Sequence, residues 1–318
     1  MDPARDPPYL VHGRNRADMN NAAAAAEAQS RLNDYVPGLG AALSYSAADV
    51  LSKVVFASGM DVLSLVAVRG VLVTIGFWFW LRAVPPRLPH SPRARAISIG
   101  LGVLFSGNIF GLMYAIQELP LSIAILVYFT YPLLTGIVSA AIGLEQIGWR
   151  SFAIALAAFC GLALMLNAQP GVLSVVGLVA AFLAALSRVV GLVVTRAVLS
   201  KADARLTTWY SLAPSAIVFA VALLMRGSVH LPLTNVGWIA FFGMGLTTTL
   251  STLWMYVSIT RIGAFRTALT MNLEPVVSSL MSFALLGEAV TSLQLLGGAV
   301  MVAALSVFSL SRQPAPVR

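Results

Sequence analysis

Charged residues, cysteine and histidine are all scarce in this sequence. Only 10% of its residues are Asp, Glu, Lys or Arg, whereas 58% are hydrophobic. Soluble domains carry about 25% charged residues, and so apolar a chain has too little polar surface to cover its core in water. The composition therefore excludes an ordinary soluble domain and indicates a protein whose solvent is the lipid bilayer.

Groups for metal and disulfide chemistry are also few. The single cysteine, Cys160, cannot form a disulfide within the chain. The histidines, His12, His90 and His230, lie in the N-terminal tail or in loops, without a helical pair at metal-binding spacing. No metal or other cofactor is expected, and an intramembrane enzyme is disfavoured. The phosphate-binding pattern G-x-x-x-x-G-K-S/T is missing, so ATP is not expected as the direct energy source.

Apolar stretches of about 20 residues alternate with short breaks from Tyr35 onward. A helix of about that length, at 1.5 Å per residue, crosses a hydrocarbon core of about 30 Å. The pattern predicts an all-α polytopic membrane protein with ten transmembrane helices. The predicted spans are 36–57, 62–81, 96–117, 121–143, 149–167, 172–197, 206–225, 236–258, 264–286 and 291–311.

The two ends of the chain differ from this apolar body. Residues 1–34 are rich in Pro, Arg, Asn and Ala and lack an apolar span, which predicts a mostly disordered cytoplasmic tail. Within it, the tract Ala22–Ala26 could form a short helix. Residues 312–318 are predicted to form a second cytoplasmic tail.

Positive charge is distributed unevenly along the chain, which has a net charge of +8. With the N-terminus placed inside, sixteen of the twenty Lys and Arg residues fall in inside segments. Arg226 lies in an outside loop, and Lys53, Arg69 and Arg188 lie within spans. Membrane proteins concentrate Lys and Arg in cytoplasmic loops. The charge therefore predicts a multi-pass protein of a bacterial-type inner membrane with both termini cytoplasmic, and not a nucleic-acid partner.

The two halves of the chain echo each other. Pro132 and Pro275 are 143 residues apart, and so are Glu145 and Glu288. Each half contains five spans, an odd number, so the second copy must enter the membrane with the opposite orientation. Inverted repeats of this kind are typical of secondary transporters, in which one bundle rocks against the other around a central site.

With these features the sequence resembles the EamA-type members of the drug/metabolite transporter superfamily. The resemblance covers about residues 36–311 and implies a ten-helix fold, a central cavity, and transport, often export, of amino acids, related metabolites or toxic compounds. It implies a first five-helix repeat at 35–168 and a second at 169–311. Gly263, which stands where the first copy has Pro120, and Arg266 depart from the pattern. The matching features are Lys53, Arg69, the run Leu119-Pro120 to Pro132 and Glu145, and the second copy ending at Leu286-Gly287-Glu288.

Ionisable residues inside the spans are candidates for the substrate pathway, because exposing one to lipid costs roughly 2.5–3.5 kcal/mol. Asp49 and Lys53 are four residues apart on one helical face and can pair, either as a structural ion pair or as a gate. Arg69 is either a pathway residue or a side chain that snorkels to the interface. Arg188, in the middle of span six, is the best candidate for contacting an anionic group of the substrate. Glu274, equally deep, could pair with Arg188 or bind a proton.

Aromatic and amide side chains at similar depth extend the candidate pathway. Tyrosine pairs an apolar ring with a hydroxyl, which suits amino-acid-like ligands. For any one of these residues, ordinary helix packing is the alternative. The candidates are Tyr45, Tyr114, Tyr128, Tyr131, Trp254, Tyr256 and Asn272.

Pro132 and Pro275 predict kinks in the middle of spans four and nine. Each proline removes a backbone donor and frees the carbonyl four residues earlier, at Tyr128 and Met271. In lipid a free carbonyl is costly unless something satisfies it. A kink that faces the cavity would offer these acceptors to a substrate; the alternative is a kink that only shapes the helix.

These features predict a secondary transporter for a small polar metabolite, with export favoured by the family resemblance. An uptake permease or a channel-like facilitator is the alternative, although no ring of like groups or filter is visible. The expected partners are a small-molecule substrate and the lipid bilayer. Proton coupling through Asp49 or Glu274 is allowed but not required, and both a monomer and a homodimer remain open.

Overall fold

The computed structural model describes residues 16–86, 89–167 and 173–310. Over these residues the chain forms twelve α-helices and no strand. In chain order the helices are α1 (Arg16–Ala57), α2 (Val62–Ala83), α3 (Pro92–Glu118), α4 (Leu121–Tyr128), α5 (Tyr131–Ala141), α6 (Trp149–Leu166), α7 (Val175–Val198), α8 (Ala204–Arg226), α9 (Asn235–Ile262), α10 (Ala264–Thr270), α11 (Leu273–Leu286) and α12 (Ser292–Leu310).

Ten helical segments of the described chain are long and apolar enough to cross a membrane. The helices α4 and α5 together make one segment, and α10 and α11 make another. Each predicted span is present, with ends within four residues of the prediction. These segments confirm the predicted all-α fold and the count of ten spans. The prediction succeeded because the length of an apolar run decides whether a helix can span a bilayer.

The first helix begins earlier than the sequence predicted. It starts at Arg16, so the prediction of a mostly disordered tail is wrong for residues 16–34. Alanine has the highest helix propensity, and the tract Ala22–Ala26 continues the helix of the first span toward the N-terminus. The first fifteen residues and the predicted tail at 312–318 lie outside the described residues.

Spans four and nine are each broken into two helices near the middle. Two residues separate α4 from α5 just before Pro132, and two separate α10 from α11 just before Pro275. Proline is tolerated in the first turn of a helix, where its missing N–H is not needed. The prolines therefore mark the start of a new helix. The Met271 carbonyl, predicted to be free, accepts the Glu274 N–H at 3.0 Å.

The two halves pack as an inverted repeat. The helix α1 packs against α9, and the equivalent helix α7 packs against α3. The helices α2 and α8 pack together, as do α6 and α12, and each pair joins equivalent elements. Exchanging α1–α6 with α7–α12 maps this set of contacts onto itself. The largest buried cluster draws side chains from both halves, including Tyr131, Leu192, Ile259 and Met271.

The helix connections fall at two ends of the bundle. Hydrogen bonds at each end support the grouping: the Leu233 N–H donates to the Ser58 carbonyl at one end, and Arg205, in the first turn of α8, donates to the Val84 carbonyl at the other. We term them the arginine-rich end, with connecting residues 84–86, 89–91, 142–148, 199–203 and 263, and the arginine-poor end, with connecting residues 58–61, 119–120, 173–174, 227–234 and 287–291.

Candidate functional site

An arginine lies between two tyrosines at the centre of the bundle. The guanidinium carbon of Arg188, on α7, is 5.7 Å from the ring centre of Tyr45 on α1. It is also 5.7 Å from the ring centre of Tyr131 on α5. Cation–π attraction operates within about 6 Å of a ring centre, so the two rings hold this positive charge in the interior. Tyr131 itself is fully buried.

Two carboxylates from neighbouring helices face the same centre. Glu274, on α11, interacts electrostatically with both Asp49 on α1 and Arg188. Among the described residues, no ion pair within 4.0 Å joins Glu274 to Arg188. The Ser46 hydroxyl donates to the Glu274 carbonyl at 2.9 Å, which fixes α1 against the start of α11. The centre thus brings Arg188 near Glu274, and Glu274 near Asp49.

The central residues occupy equivalent positions of the two repeats. Tyr45 and Arg188 are 143 residues apart, and so are Tyr131 and Glu274. This is the spacing that relates Pro132 to Pro275. The first repeat places a tyrosine at both positions, and the second places a charged residue at both. The site therefore lies where the two repeats meet.

A small cavity adjoins Arg188 between α3, α7 and α9. It has a volume of about 40 Å³, and its polar lining includes Asn108, Thr195 and Tyr256. A cavity needs about 10–15 Å³ to hold one water, so this one holds a few waters and not a metabolite. The buried Nε of Arg188 has no hydrogen-bond partner among the described residues. Buried polar groups are nearly always paired, so an unpaired buried donor is unusual. The Nε–H group of Arg188 is therefore available to bind a ligand.

Tyr128 and Asn108 extend the centre toward α3. The Tyr128 and Tyr131 ring centres are 5.6 Å apart, and the Tyr128 hydroxyl is 3.5 Å from the Asn108 side-chain oxygen. Asn108 also donates to the Ala184 carbonyl at 2.6 Å. Asn108 was not among the residues predicted from the sequence, although an amide in the middle of span three was the signal for it.

Two charged candidates bond elsewhere. Lys53 makes no ion pair within 4.0 Å with Asp49; its Nζ lies 2.6 Å from a carboxylate oxygen of Glu288. The lysine side chain reaches another helix, which spacing within α1 could not reveal. Arg69 donates to the Thr248 hydroxyl at 2.7 Å and joins α2 to α9, so it does not simply snorkel to the interface.

The remaining aromatic and amide candidates divide between the interior and the surface. Tyr256 is buried and lines the cavity beside Arg188. Asn272 is also buried, and its side-chain oxygen lacks a partner among the described residues. Trp254 instead lines a groove of about 800 Å³ between α1, α2, α8 and α9 at the arginine-rich end. Tyr114 is 39% exposed on the outside of α3, away from the centre.

Glu145 closes a contact between the repeats at the arginine-rich end. Its carboxylate accepts the N–H groups of Ala264 and Phe265, at 2.5 Å and 3.3 Å, where α10 begins. Burial raises the pKa of Glu145 above its ordinary value, although these N–H groups and the nearby Arg196 and Arg266 act in the opposite direction. The sequence had marked Glu145 only as a member of the repeat.

Gly263 explains why this contact can be so close. Its φ is +92°, a conformation that side-chain-bearing residues rarely adopt. A Cβ atom at this position would lie 2.6 Å from a carboxylate oxygen of Glu145. Gly263, which departs from the family pattern, is therefore the position at which Glu145 of the first repeat contacts the backbone of the second.

Metal binding has no evident site in the described residues, which contain no group of three His, Cys, Asp or Glu side chains placed to hold an ion. The inverted helix contacts and the paired central positions already point to a duplicated transporter. The model of the EamA-like transporter family matches residues 35–167 and again residues 175–310. The chain belongs to the EamA-like transporter family.

Similarity to known proteins beyond this EamA-like match concerns the fold. A solved crystal structure, described only as that of a protein, aligns with a TM-score of 0.70 and 21% sequence identity. The alignment covers 85% of this chain and 98% of that one. No curated protein matches the chain. The EamA-like family assignment makes the protein a membrane transporter of the drug/metabolite type.

Proposed function

We propose that this protein is a secondary transporter that exports a small polar metabolite, an amino acid or a related compound, by alternating access. The observation that carries the proposal is Arg188, a central cation with an unpartnered donor, held between tyrosines where the repeats meet. An arginine retained at such depth, despite a cost of roughly 2.5–3.5 kcal/mol even on insertion scales, supports a role in binding an anionic group of the substrate.

The acidic side chains support a second element of the proposal. Glu274 interacts with Arg188 and Asp49 with Lys53, but the two carboxylates also interact with each other and repel when both are ionised. A substrate ammonium group or a proton at the carboxylates would relieve that repulsion. The proposal therefore includes a substrate with both an anionic and a cationic group, or coupling of transport to protons.

The charge bias and the family resemblance support the proposed direction and location. We place both termini in the cytoplasm of a bacterial-type inner membrane, because Lys and Arg are concentrated at the arginine-rich end. Uptake by a permease is the alternative direction. A channel-like facilitator is the alternative mechanism, and saturation of the flux separates it from a transporter.

Flux measurements on purified protein in liposomes test this function. Metabolites that raise the thermal stability of the protein identify candidate substrates, and their flux should be saturable. Arg188→Ala should lower the rate about ten- to hundredfold, because a charge-assisted hydrogen bond is worth about 1.5–3 kcal/mol. Arg82→Ala is the matched control, since Arg82 lies over the Trp78 ring near the end of α2.

Two results would count against the proposal. A flux that rises linearly with solute concentration would indicate a channel. Unchanged transport in the Arg188→Ala variant would remove this residue from the binding site. Proton coupling is tested separately: an imposed pH gradient should drive substrate accumulation, and Asp49→Asn combined with Glu274→Gln should abolish that drive.

A further inference from the structure

An acidic residue follows the broken span of each repeat, and a basic residue of the other repeat lies near it. The two acidic residues occupy equivalent positions of the repeats, and so do the two basic residues. Glu145 and Glu288 are 143 residues apart, and so are Lys53 and Arg196. Lys53 forms an ion pair with Glu288 at the arginine-poor end. Arg196 lies within electrostatic range of Glu145 at the arginine-rich end. The inverted repeat therefore builds the same acid–base pair twice, once at each end of the bundle.

The two pairs are in different states. At the arginine-rich end, Glu145 binds the first N–H groups of α10, and Arg196 donates at 3.1 Å to the Thr260 carbonyl in the last turn of α9. At the arginine-poor end the acid and base bind each other, with both Lys53 and Glu288 nearly half exposed. At the arginine-rich end, the acid and the base thus bind the ends of α10 and α9. At the arginine-poor end, they bind each other.

Packing between the helices of the two broken spans also differs between the two ends of the bundle. The helix α10 packs against α5 at the arginine-rich end. The equivalent helices at the other end, α4 and α11, make no comparable contact in the described structure. Among the described residues, no side chain binds the N–H groups of Leu121 and Ser122 at the start of α4, whereas Glu145 binds the equivalent groups at the start of α10. The broken spans therefore contact each other at the arginine-rich end and make no comparable contact at the arginine-poor end.

We propose that these two acid–base pairs are alternating latches that exchange roles as the transporter changes state. In the second state, Glu288 accepts the N–H groups of Leu121 and Ser122 at the start of α4, the positions equivalent to Ala264 and Phe265. Lys53 turns to the last carbonyls of α3, at Ile116 and Gln117. Glu145 leaves α10 and pairs with Arg196. The inference rests on the proposed transport function but concerns the conformational change alone.

The two latches are not equally strong. The position equivalent to Gly263 is Pro120, whose ring restricts the approach of a carboxylate to the start of α4. The Glu288 contact should therefore be weaker than the Glu145 contact. This difference favours the observed state, in which the broken spans contact each other at the arginine-rich end, when no substrate is bound.

Distances between spin labels in the full-length protein test the exchange without any substrate. In a Cys160→Ser background, cysteines at Tyr114 and Leu285 report the arginine-poor end, and cysteines at Ile142 and Arg261 report the arginine-rich end. Glu145→Gln should shorten the first distance and lengthen the second, changing the ratio of the two states about two- to fivefold, as expected when a neutral acceptor replaces a carboxylate at a helix N-terminus. Glu288→Gln should do the opposite and deplete the second state.

A charge exchange distinguishes a latch from a simple ion pair. Lys53→Glu combined with Glu288→Lys keeps the ion pair, but the lysine cannot accept an N–H group of α4. The latch predicts that this variant behaves like Glu288→Gln, and distances like those of the wild type would overturn it. Glu118→Gln is the control at the same end, where Glu118 bonds to Ser174 outside the latch.

Unchanged distances in Glu145→Gln would also overturn the proposal. If Glu145→Gln does not fold, Arg196→Gln tests the same end through the other partner. Because the labels report conformation, a failed flux assay would count against the proposed function without affecting this result.

Discussion

Tyr45 and Arg188 stand at equivalent positions of the two repeats, as do Tyr131 and Glu274, yet the first repeat supplies phenols and the second supplies charges. The helices that carry Tyr45 and Arg188 make equivalent contacts, α1 with α9 and α7 with α3. Packing contacts can be shared by two copies because they depend on shape. A binding site for one asymmetric solute needs different groups on its two sides, so the copies differ where they meet that solute.

The largest expected effect on transport is the difference between substitutions at Glu274 and at its equivalent in the first repeat, Tyr131. Glu274→Gln should lower substrate flux about tenfold or more, because it removes a charge from a site where charged hydrogen bonds are worth about 1.5–3 kcal/mol. Tyr131→Phe should lower it only about threefold, because it removes one hydroxyl and keeps the ring. Liposome flux under identical conditions compares the two. Equal losses would mean that the repeats contribute equally to binding.

A second prediction concerns the contact that joins the repeats through α6 and α12. A Cβ at Gly297 would lie 2.4 Å from the Gly161 carbonyl oxygen, so the two helices pack backbone to backbone. Gly297→Val should lower the stability by about 1–3 kcal/mol through overpacking. Thermal unfolding in detergent measures it. Gly100→Val, at a position with no neighbouring atom within 4 Å, is the control and should have little effect.

The smallest effects should come from caps that both repeats share. Asp61 caps α2 and Asp203 caps α8, each through its side chain. Asp61→Asn and Asp203→Asn should each cost no more than about 1 kcal/mol of unfolding free energy. Thermal unfolding of the two variants should give similar shifts. A large loss in only one would show that one end of the bundle depends on its cap far more than the other.

The same carboxylates predict a pH dependence. Although burial opposes it, hydrogen bonds from Ser64, Arg226 and His230 lower the pKa of Asp61 from 3.8 to about 2. A depressed folded-state pKa stabilises the fold above the unfolded value and loses that contribution as the pH falls through the folded one. The difference in stability between wild type and Asp61→Asn should therefore shrink between about pH 4 and pH 2. A difference independent of pH would assign the effect to packing.

Much of the fold could be predicted from the sequence, because each span is a local property. Ten apolar runs fixed ten helices, and the spacing between Pro132 and Pro275 revealed the repeat before any contact was known. The prediction failed at residues 16–34, where helix propensity extended α1 without help from hydrophobicity. The predicted pairing of Lys53 with Asp49 also failed, because the partner of Lys53, Glu288, lies 235 residues away along the chain.

The sequence by itself determined that this protein spans a membrane, that it is duplicated and inverted, and which charged residues lie deep, because bilayer length and charge cost act on each segment separately. Only the tertiary structure decided which of those residues meet. It placed Arg188 between two tyrosines, moved Tyr114 to the surface, and joined Glu145 to α10. These outcomes depend on the packing of distant helices, which no local pattern contains.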